Sequence, residues 1–183
     1  MSKVVVFEGS PRKNGYTANL LEQVVNGAKS KGAEIVEYNL NDTRIRGCQG
    51  CFYCRTHDGC ATDDYLQPMY KDINEADAIV LGSPIYYYQI TGQVKVWLDR
   101  TFPMLGDKFV PRHPDKKAVT VFVQGNADAK IGEDGIRSIN RTFDMYGWKI
   151  EDSIHYCGTS GNPDLQKDDK ILARAFNAGR NLV

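Results

Sequence analysis

Short apolar runs alternate with stretches of helical spacing along the whole chain. Lys3 is followed by Val4-Val5-Val6-Phe7, a β-branched run that stops at Glu8-Gly9, the pattern of a strand buried on both faces. From Thr17 the apolar residues Leu20, Leu21, Val24, Val25 and Ala28 recur at helical spacing, and Gly32 follows the last of them. Glu34 to Leu40 predicts a second strand, and about Tyr65 to Ala76 a helix with Pro68 in its first turn. Ala78 to Gly82 is the third strand and Thr91 to Phe102 the next helix. After a Pro- and Gly-bearing connection from Pro103 to Pro114 come a strand at Ala118 to Val123 and a helix at Glu133 to Tyr146. Trp148 to Tyr156 contains the fifth strand, and Leu165 to Leu182 closes the chain as a helix.

Strands that alternate with helices imply an α/β fold: a doubly wound parallel sheet with helices on both faces. For five strands the expected order is 2-1-3-4-5, with right-handed crossovers. Strands one and three are then neighbours whose helices leave on opposite faces. The loops after them open a crevice at the carboxyl edge of the sheet, where such folds bind ligands. The 183 residues suit one domain with a full-sized core, residues 1–183, carrying a cysteine-bearing loop at about 44–64.

Charge narrows the partners. Lys+Arg 23 against Asp+Glu 23 leaves no basic excess for nucleic acid or an anionic membrane surface. No apolar run is long enough to span a bilayer. The opening Met1-Ser2-Lys3 lacks the longer apolar segment and small-residue cleavage site of a signal peptide, so a cytoplasmic protein is expected.

The loop after the first strand reads Gly9-Ser10-Pro11-Arg12-Lys13-Asn14-Gly15-Tyr16-Thr17. It offers the Ser10 and Thr17 hydroxyls, the Arg12 guanidinium, the Asn14 amide and the free N–H groups of a helix start, which are the parts of an anion site. It is neither G-x-G-x-x-G nor G-x-x-x-x-G-K-[ST], because no lysine follows Gly15. A hydroxyl-rich loop of this kind suits a terminal monophosphate ester such as that of FMN; it also reads as a solvated turn. The loop after strand three, Gly82-Ser83-Pro84-Ile85-Tyr86-Tyr87-Tyr88-Gln89, combines apolar and aromatic surface with backbone donors and acceptors, as a flat flavin ring requires. Tyrosines there also serve as core or interface residues. Gln124-Gly125-Asn126-Ala127-Asp128, after strand four, is small and polar enough to face the pyrimidine edge of that ring, and it reads equally as a plain βα turn.

Four of the five cysteines are spaced Cys48-x2-Cys51-x2-Cys54-x5-Cys60. Thiolates two residues apart resemble the opening run of bacterial ferredoxins, with Cys60 near enough to supply a fourth ligand and Gly47, Gly50 and Gly59 to let the backbone fold tightly. Zinc, a disulfide and no metal at all remain open alternatives. His57 reads as a solvated loop residue, Asp63 and Asp64 as the start of the following helix, and Cys157 as buried and inert. His113 and His155 show no partner.

The GSPRKNG-Y-T loop, the SPIYYYQITGQVKVWLDR segment and the cysteine loop occur in the same order in the NADPH-dependent FMN reductase-like and iron–sulfur flavoprotein families, which this chain resembles over nearly its whole length. The resemblance implies a flavodoxin-like fold, FMN, a [4Fe-4S] cluster on Cys48, Cys51, Cys54 and Cys60, and a homodimer or homotetramer. By analogy the FMN phosphate lies at Ser10, Arg12, Asn14, Gly15, Tyr16 and Thr17, and the ring at Pro84, Ile85, Tyr86, Tyr87, Gln124, Gly125 and Asn126. Tyr16 departs from the asparagine common in relatives.

The expected activity is an FMN-dependent oxidoreductase. Electrons arrive from NAD(P)H or a ferredoxin-type donor and leave to a small acceptor: a quinone, a nitro or azo compound, flavin or oxygen. The cofactor carries the chemistry, so no acid–base residue is named as catalytic. The rival readings are an electron carrier that exchanges with ferredoxin, and a phosphate-binding domain without flavin.

Overall fold

Alternate residues of β1 (Lys3–Glu8) enter two different cores, and that division organises the molecule. Val4 and Val6 pack on one side with Leu20, Leu21, Val24 and Ala28 of α1 (Tyr16–Lys29) and Ala175, Ala178 and Leu182 of the C-terminal region. Val5 and Phe7 pack on the other with Met69, Ile73, Trp97, Ile139 and Phe143. The period-2 alternation of a strand buried on both faces explains why the segment reads as an unbroken apolar run.

The computed structural model describes residues 1–183. β2 (Glu34–Asn39), β3 (Ala78–Tyr86), β5 (Lys117–Val123) and β6 (Lys149–Tyr156) join β1 in a parallel sheet of order β2-β1-β3-β5-β6. This is the expected order, and the fold is flavodoxin-like. A sixth strand, β4 (Gln89–Ile90), was not expected: it folds back antiparallel on β3, pairing Tyr86 with Gln89 and Ile85 with Ile90. Pro84 to Tyr86, expected in a loop, therefore extend β3. The turn between them is Tyr87-Tyr88, with φ of 46° and 70°. Two-residue hairpins favour positive φ at both central positions, normally supplied by Asn-Gly, so no turn signal stands in the sequence.

α2 (Met69–Glu75), α3 (Gly92–Arg100) and α4 (Glu133–Met145) cover one face, and α1 with α5 (Asp169–Asn181) the other. α1 and α5 meet backbone to backbone. A Cβ on Gly27 would come 1.9 Å from the Phe176 carbonyl oxygen, and one on Gly179 1.9 Å from that of Val24. α5 begins at Asp169 rather than Leu165, because Leu165–Lys167 form a 3-10 turn and Asp168 caps the helix by accepting from Ile171 N.

α2 is four residues shorter at its start than its pattern suggests, and Asp64 shows why. Asp63 and Asp64 do not open the helix. The Asp64 carboxylate accepts from Arg100 Nη1 at 2.6 Å and Nη2 at 3.1 Å, and from the backbone N–H of Arg46 at 2.9 Å and Leu66 at 3.0 Å. Arg100 also donates to the carbonyls of Arg46 (2.7 Å) and Thr62 (3.2 Å). Their side chains are 2% and 0% exposed, so the charges are desolvated and depend on each other. The pair clamps both ends of the cysteine loop, two residues before Cys48 and two after Cys60. Burial raises the Asp64 pKa, but the bonds from Arg100, Arg46 and Leu66 outweigh it and hold the carboxyl below its usual value.

Gly179→Ala is expected to force α1 and α5 apart and to lower the unfolding free energy by about 3 kcal/mol, read by urea denaturation. Asp64→Asn leaves Arg100 buried without its counter-charge, at a cost of about 3 kcal/mol at neutral pH. The folded pKa of Asp64 is depressed, so its contribution is full above the unfolded carboxylate pKa and fades as pH falls through the folded value. The gap between wild type and Asp64→Asn should therefore narrow in acid.

Candidate functional site

β1 ends alongside Gly82, in the middle of β3, and the loop leaving β1 is joined to that strand at once. The Gly9 N–H donates to the Gly82 carbonyl at 2.8 Å. Thr91, the buried N-cap of α3, donates its hydroxyl to the Gly9 carbonyl at 3.0 Å and accepts from Val94 N at 3.4 Å. The approach requires glycine: a Cβ at Gly9 would lie 2.1 Å from Val94 Cγ2 and 2.9 Å from the Gly82 oxygen. Ser83, fully buried, closes the hairpin, donating to the Pro84 carbonyl at 2.8 Å and accepting from Thr91 N at 3.2 Å.

Above this junction lies an open cleft of ≈ 430 Å³. Ser10, Arg12, Gly15, Tyr16 and Thr17 line it from the first loop, and Pro84, Ile85 and Tyr86 from the end of β3. Gly125 lines it from the loop after β5, with Val123, Thr159 and Ser160. Thr159 and Ser160 were not singled out in the sequence; a 3-10 turn after β6 brings them in, where Ser160 N donates to the Gly125 carbonyl at 3.0 Å and Thr159 Oγ1 to that of Gln124 at 3.1 Å.

The first loop has the features of an anion cradle. Gly15, the N-cap of the 14-residue α1, provides no side-chain cap, and no acidic residue lies in the first turn. The N-terminal N–H groups and the positive end of the helix dipole are left to an incoming group. Ser10 and Thr17 are buried at its floor, and Arg12 stands exposed at its rim. The loop holds its shape by itself: Ser10 Oγ accepts from Arg12 N at 3.2 Å, and Gly15 N donates to the Arg12 carbonyl at 3.1 Å. The cradle therefore fits a phosphate monoester. Tyr16 takes no part in that turn; its hydroxyl donates to the Pro163 carbonyl at 2.8 Å.

Asn14, Tyr87, Gln124 and Asn126 stand outside the lining of this cleft. Tyr87 is 95% exposed at the hairpin tip. Gln124 is buried and braces its own loop, donating Nε2 to the carbonyls of Asn126 (2.9 Å) and Asp128 (2.7 Å). Its Oε1 then serves as acceptor, so the 2.9 Å contact with His155 has the imidazole donating from Nε2. Burial keeps His155 below its ordinary pKa against the opposing pull of Glu133, which agrees with a neutral ring. His155, without a visible partner in the sequence, thus fixes the loop that carries Gly125.

Cys48 and Cys51 are exposed, Cys54 and Cys60 half-buried, and all are free thiols. No three His, Cys, Asp or Glu side chains converge at metal-binding distance. Burial pushes the Cys54 thiol up against the pull of a backbone hydrogen bond, and the charges of Cys60, Cys48 and Cys51 add to the rise. At Cys60 the upward push of burial is outweighed by hydrogen bonds from Thr62, the charge of Arg100 and the Tyr70 hydroxyl, leaving the thiol below its ordinary value. Buried N–H donors on Arg55 and Arg112, at the same loop, have no acceptor. Four free thiols in one loop, with cationic donors on Arg55 and Arg112 that find no protein acceptor, have the chemistry of a site for an anionic thiolate-held group. His57 is exposed, as expected of a loop histidine, and stacks on Tyr53 at 3.8 Å between ring centroids. Cys157 is half-buried, not enclosed.

Residues 2–137 match the family model described as NADPH-dependent FMN reductase. An iron–sulfur flavoprotein of Methanocaldococcus jannaschii is 30% identical over 189 residues, which cover 99% of this chain and 95% of that protein. Two solved structures share the fold. An NAD(P)H:quinone oxidoreductase from Methanothermobacter marburgensis superposes with a TM-score of 0.71 at 19% identity, covering 99% of this chain and 96% of the other. An FMN-dependent NADH-azoreductase from Bacillus anthracis, in complex with FMN, gives 0.70 at 12% identity, covering 100% and 99%. With that match over most of its length, and a relative aligned from end to end, the chain belongs to the NADPH-dependent FMN reductase family.

Proposed function

We propose that the cleft between the β1, β3 and β5 loops holds FMN and that the protein moves electrons from NAD(P)H, or from a ferredoxin-type donor, to a small acceptor. The observation that carries this reading is the meeting of the uncapped α1 start with the Pro84–Tyr86 edge in one cleft. Ser10, Arg12, Asn14, Gly15, Tyr16 and Thr17 are assigned to the phosphate. Pro84, Ile85, Tyr86, Tyr87, Gly125 and Asn126 are assigned to the ring, with Gln124 as the brace of the third loop. Bound FMN supplies hydride acceptance and single-electron release.

The protein's part is position. Arg12 offers a two-pronged guanidinium at an open rim, so the ester can enter and be held without a lid. Ser10 and Thr17, buried at the floor of the cradle, would hold the ester from below. Pro84 and Ile85, fixed in β3, offer a rigid apolar edge, while Tyr86 is 46% exposed and leaves room for a nicotinamide or an acceptor beside it. Acceptors in this reading are quinones, nitro or azo compounds, flavin or oxygen.

The cysteine loop is assigned a [4Fe-4S] cluster on Cys48, Cys51, Cys54 and Cys60, supported by the kinship with an iron–sulfur flavoprotein, by the four free thiols of one loop and by the unpaired donors of Arg55 and Arg112. When held, such a cluster supplies one-electron transfer. Free cysteines in this number suit a reducing, cytoplasmic setting. The exposed aromatic surface of Phe52, Phe109, Tyr87 and Tyr88 suits burial in a homodimer or homotetramer.

Anaerobic purification should give a protein with flavin absorbance, rapidly bleached by NADH or NADPH and carrying iron and sulfide. Reduction by ferredoxin alone would make it a carrier, and colourless material after FMN is supplied would refute the assignment. Arg12→Met is expected to weaken FMN binding by about 10- to 100-fold, read by fluorescence titration, because one charge-assisted phosphate contact is lost.

A further inference from the structure

The segment that follows α3 has a shape that its own sequence does not require. Leu105 and Pro111 form a bridge, Gly106 N donates to the Val110 carbonyl at 2.7 Å, and Arg112 N donates to that of Met104 at 2.9 Å. Within this tight turn Lys108 and Phe109 both lie in the left-handed region, at φ 51° and 61°. Bulky residues held there cost on the order of 1 kcal/mol each, and such strain gathers where a side chain must be delivered to a particular place.

Two side chains of this turn reach the cysteine loop. Phe109 lies under Arg55, whose guanidinium carbon is 5.0 Å from its ring centroid and 5.6 Å from that of Phe102. Arg112 donates Nη2 to the Cys54 carbonyl at 2.9 Å and Nη1 to the His57 carbonyl at 3.1 Å, with Asp58 at 3.6 Å. Each guanidinium keeps one buried donor without an acceptor, Arg55 Nη1 and Arg112 Nε. A buried N–H left unpaired costs about 1–3 kcal/mol, more on a cation, so an acceptor is expected there in the working protein. The far side of the loop is held by a third guanidinium, Arg100, which donates to the carbonyls of Arg46 and Thr62 and has its charge met by Asp64.

We propose that Arg55 and Arg112 are positioning residues for the four-cysteine loop: they form a guanidinium cradle that raises the reduction potential of an iron–sulfur cluster held by these thiolates. The proposal rests on the iron–sulfur assignment above. A cluster on four thiolates is a net anion. Uptake of one electron from a reductant such as dithionite adds one more negative charge at the loop and breaks no protein bond. Fixed cations in a partly desolvated setting favour that reduced state. Arginine serves here better than lysine, because one planar fork holds two carbonyls and still has donors to spare.

The test is a dithionite titration of the anaerobically reconstituted holoprotein, followed by EPR, for wild type, Arg55→Met, Arg112→Met and Arg112→Lys. Each methionine variant is expected to lower the ratio of reduced to oxidised cluster about tenfold at a given potential, a shift of about 59 mV downward. Arg112→Lys, which keeps the charge, should recover most of that shift. Arg137→Met, at an exposed position of α4, should leave the midpoint where it was. Midpoints unchanged in both methionine variants, with or without reduced iron content, would overturn the cradle and leave the iron–sulfur assignment standing. Should a methionine variant fail to load, Arg112→Lys and Arg55→Lys supply the midpoint, and a lysine variant that falls as far as tenfold would equally overturn it. Wild type without iron and acid-labile sulfide after reconstitution refutes the assignment and the cradle together.

Discussion

The site depends on how closely the end of β1 can approach the middle of β3. Gly9 and Gly82 meet at 2.8 Å, N–H to carbonyl, where a side chain on Gly9 would collide with Val94 and one on Gly82 with Leu21. That contact continues the β1–β3 ladder one step past the end of β1, while β3 runs on to Tyr86 beside the departing loop. The helix that follows β1 turns to one face, and the helix that follows the β3–β4 hairpin turns to the other. A crevice at this switch point is then unavoidable. Thr91 makes the arrangement rigid, because a single hydroxyl both caps α3 and holds the Gly9 carbonyl.

Three layers of support keep the cleft open. The floor is the β1–β3 junction. The third loop would be a loose turn of small residues, but Gln124 ties it from within and His155 fixes Gln124 from β6. The turn after β6 then leans on the same loop through Ser160 and Thr159. The packing of α1 on α5 underlies the cradle itself, since the helix whose start faces the cleft is held by direct backbone contact at Gly27 and Gly179.

Much of this was legible in the chain. The buried strands announced themselves as apolar runs, and the neighbouring positions of the first and third loops followed from the doubly wound order alone. What escaped had no local signal. β4 is two residues long and its turn is Tyr-Tyr, where hairpin chemistry would have called for Asn-Gly. Asp64 looked like a helix start because its partner, Arg100, lies 36 positions away on another helix. Gln124 and His155 are 31 apart and meet only because β5 and β6 are adjacent. Thr159 and Ser160 are ordinary loop residues until β6 carries them to the cleft. Periodicity reports which face of an element is buried; it is silent on which distant polar groups find each other.

The clasp of Asp64 and Arg100 has a consequence for how the molecule can change. Residues 47–61 leave and return through one gate, sealed by a charge pair that belongs to the scaffold. Beyond the gate the loop meets the body of the protein through Gly59, Cys60 and Arg112, and none of its residues pairs with a strand of the sheet. A change of length between those contacts is taken up between fixed posts, so this stretch of chain can be rebuilt without redrawing the register of the strands.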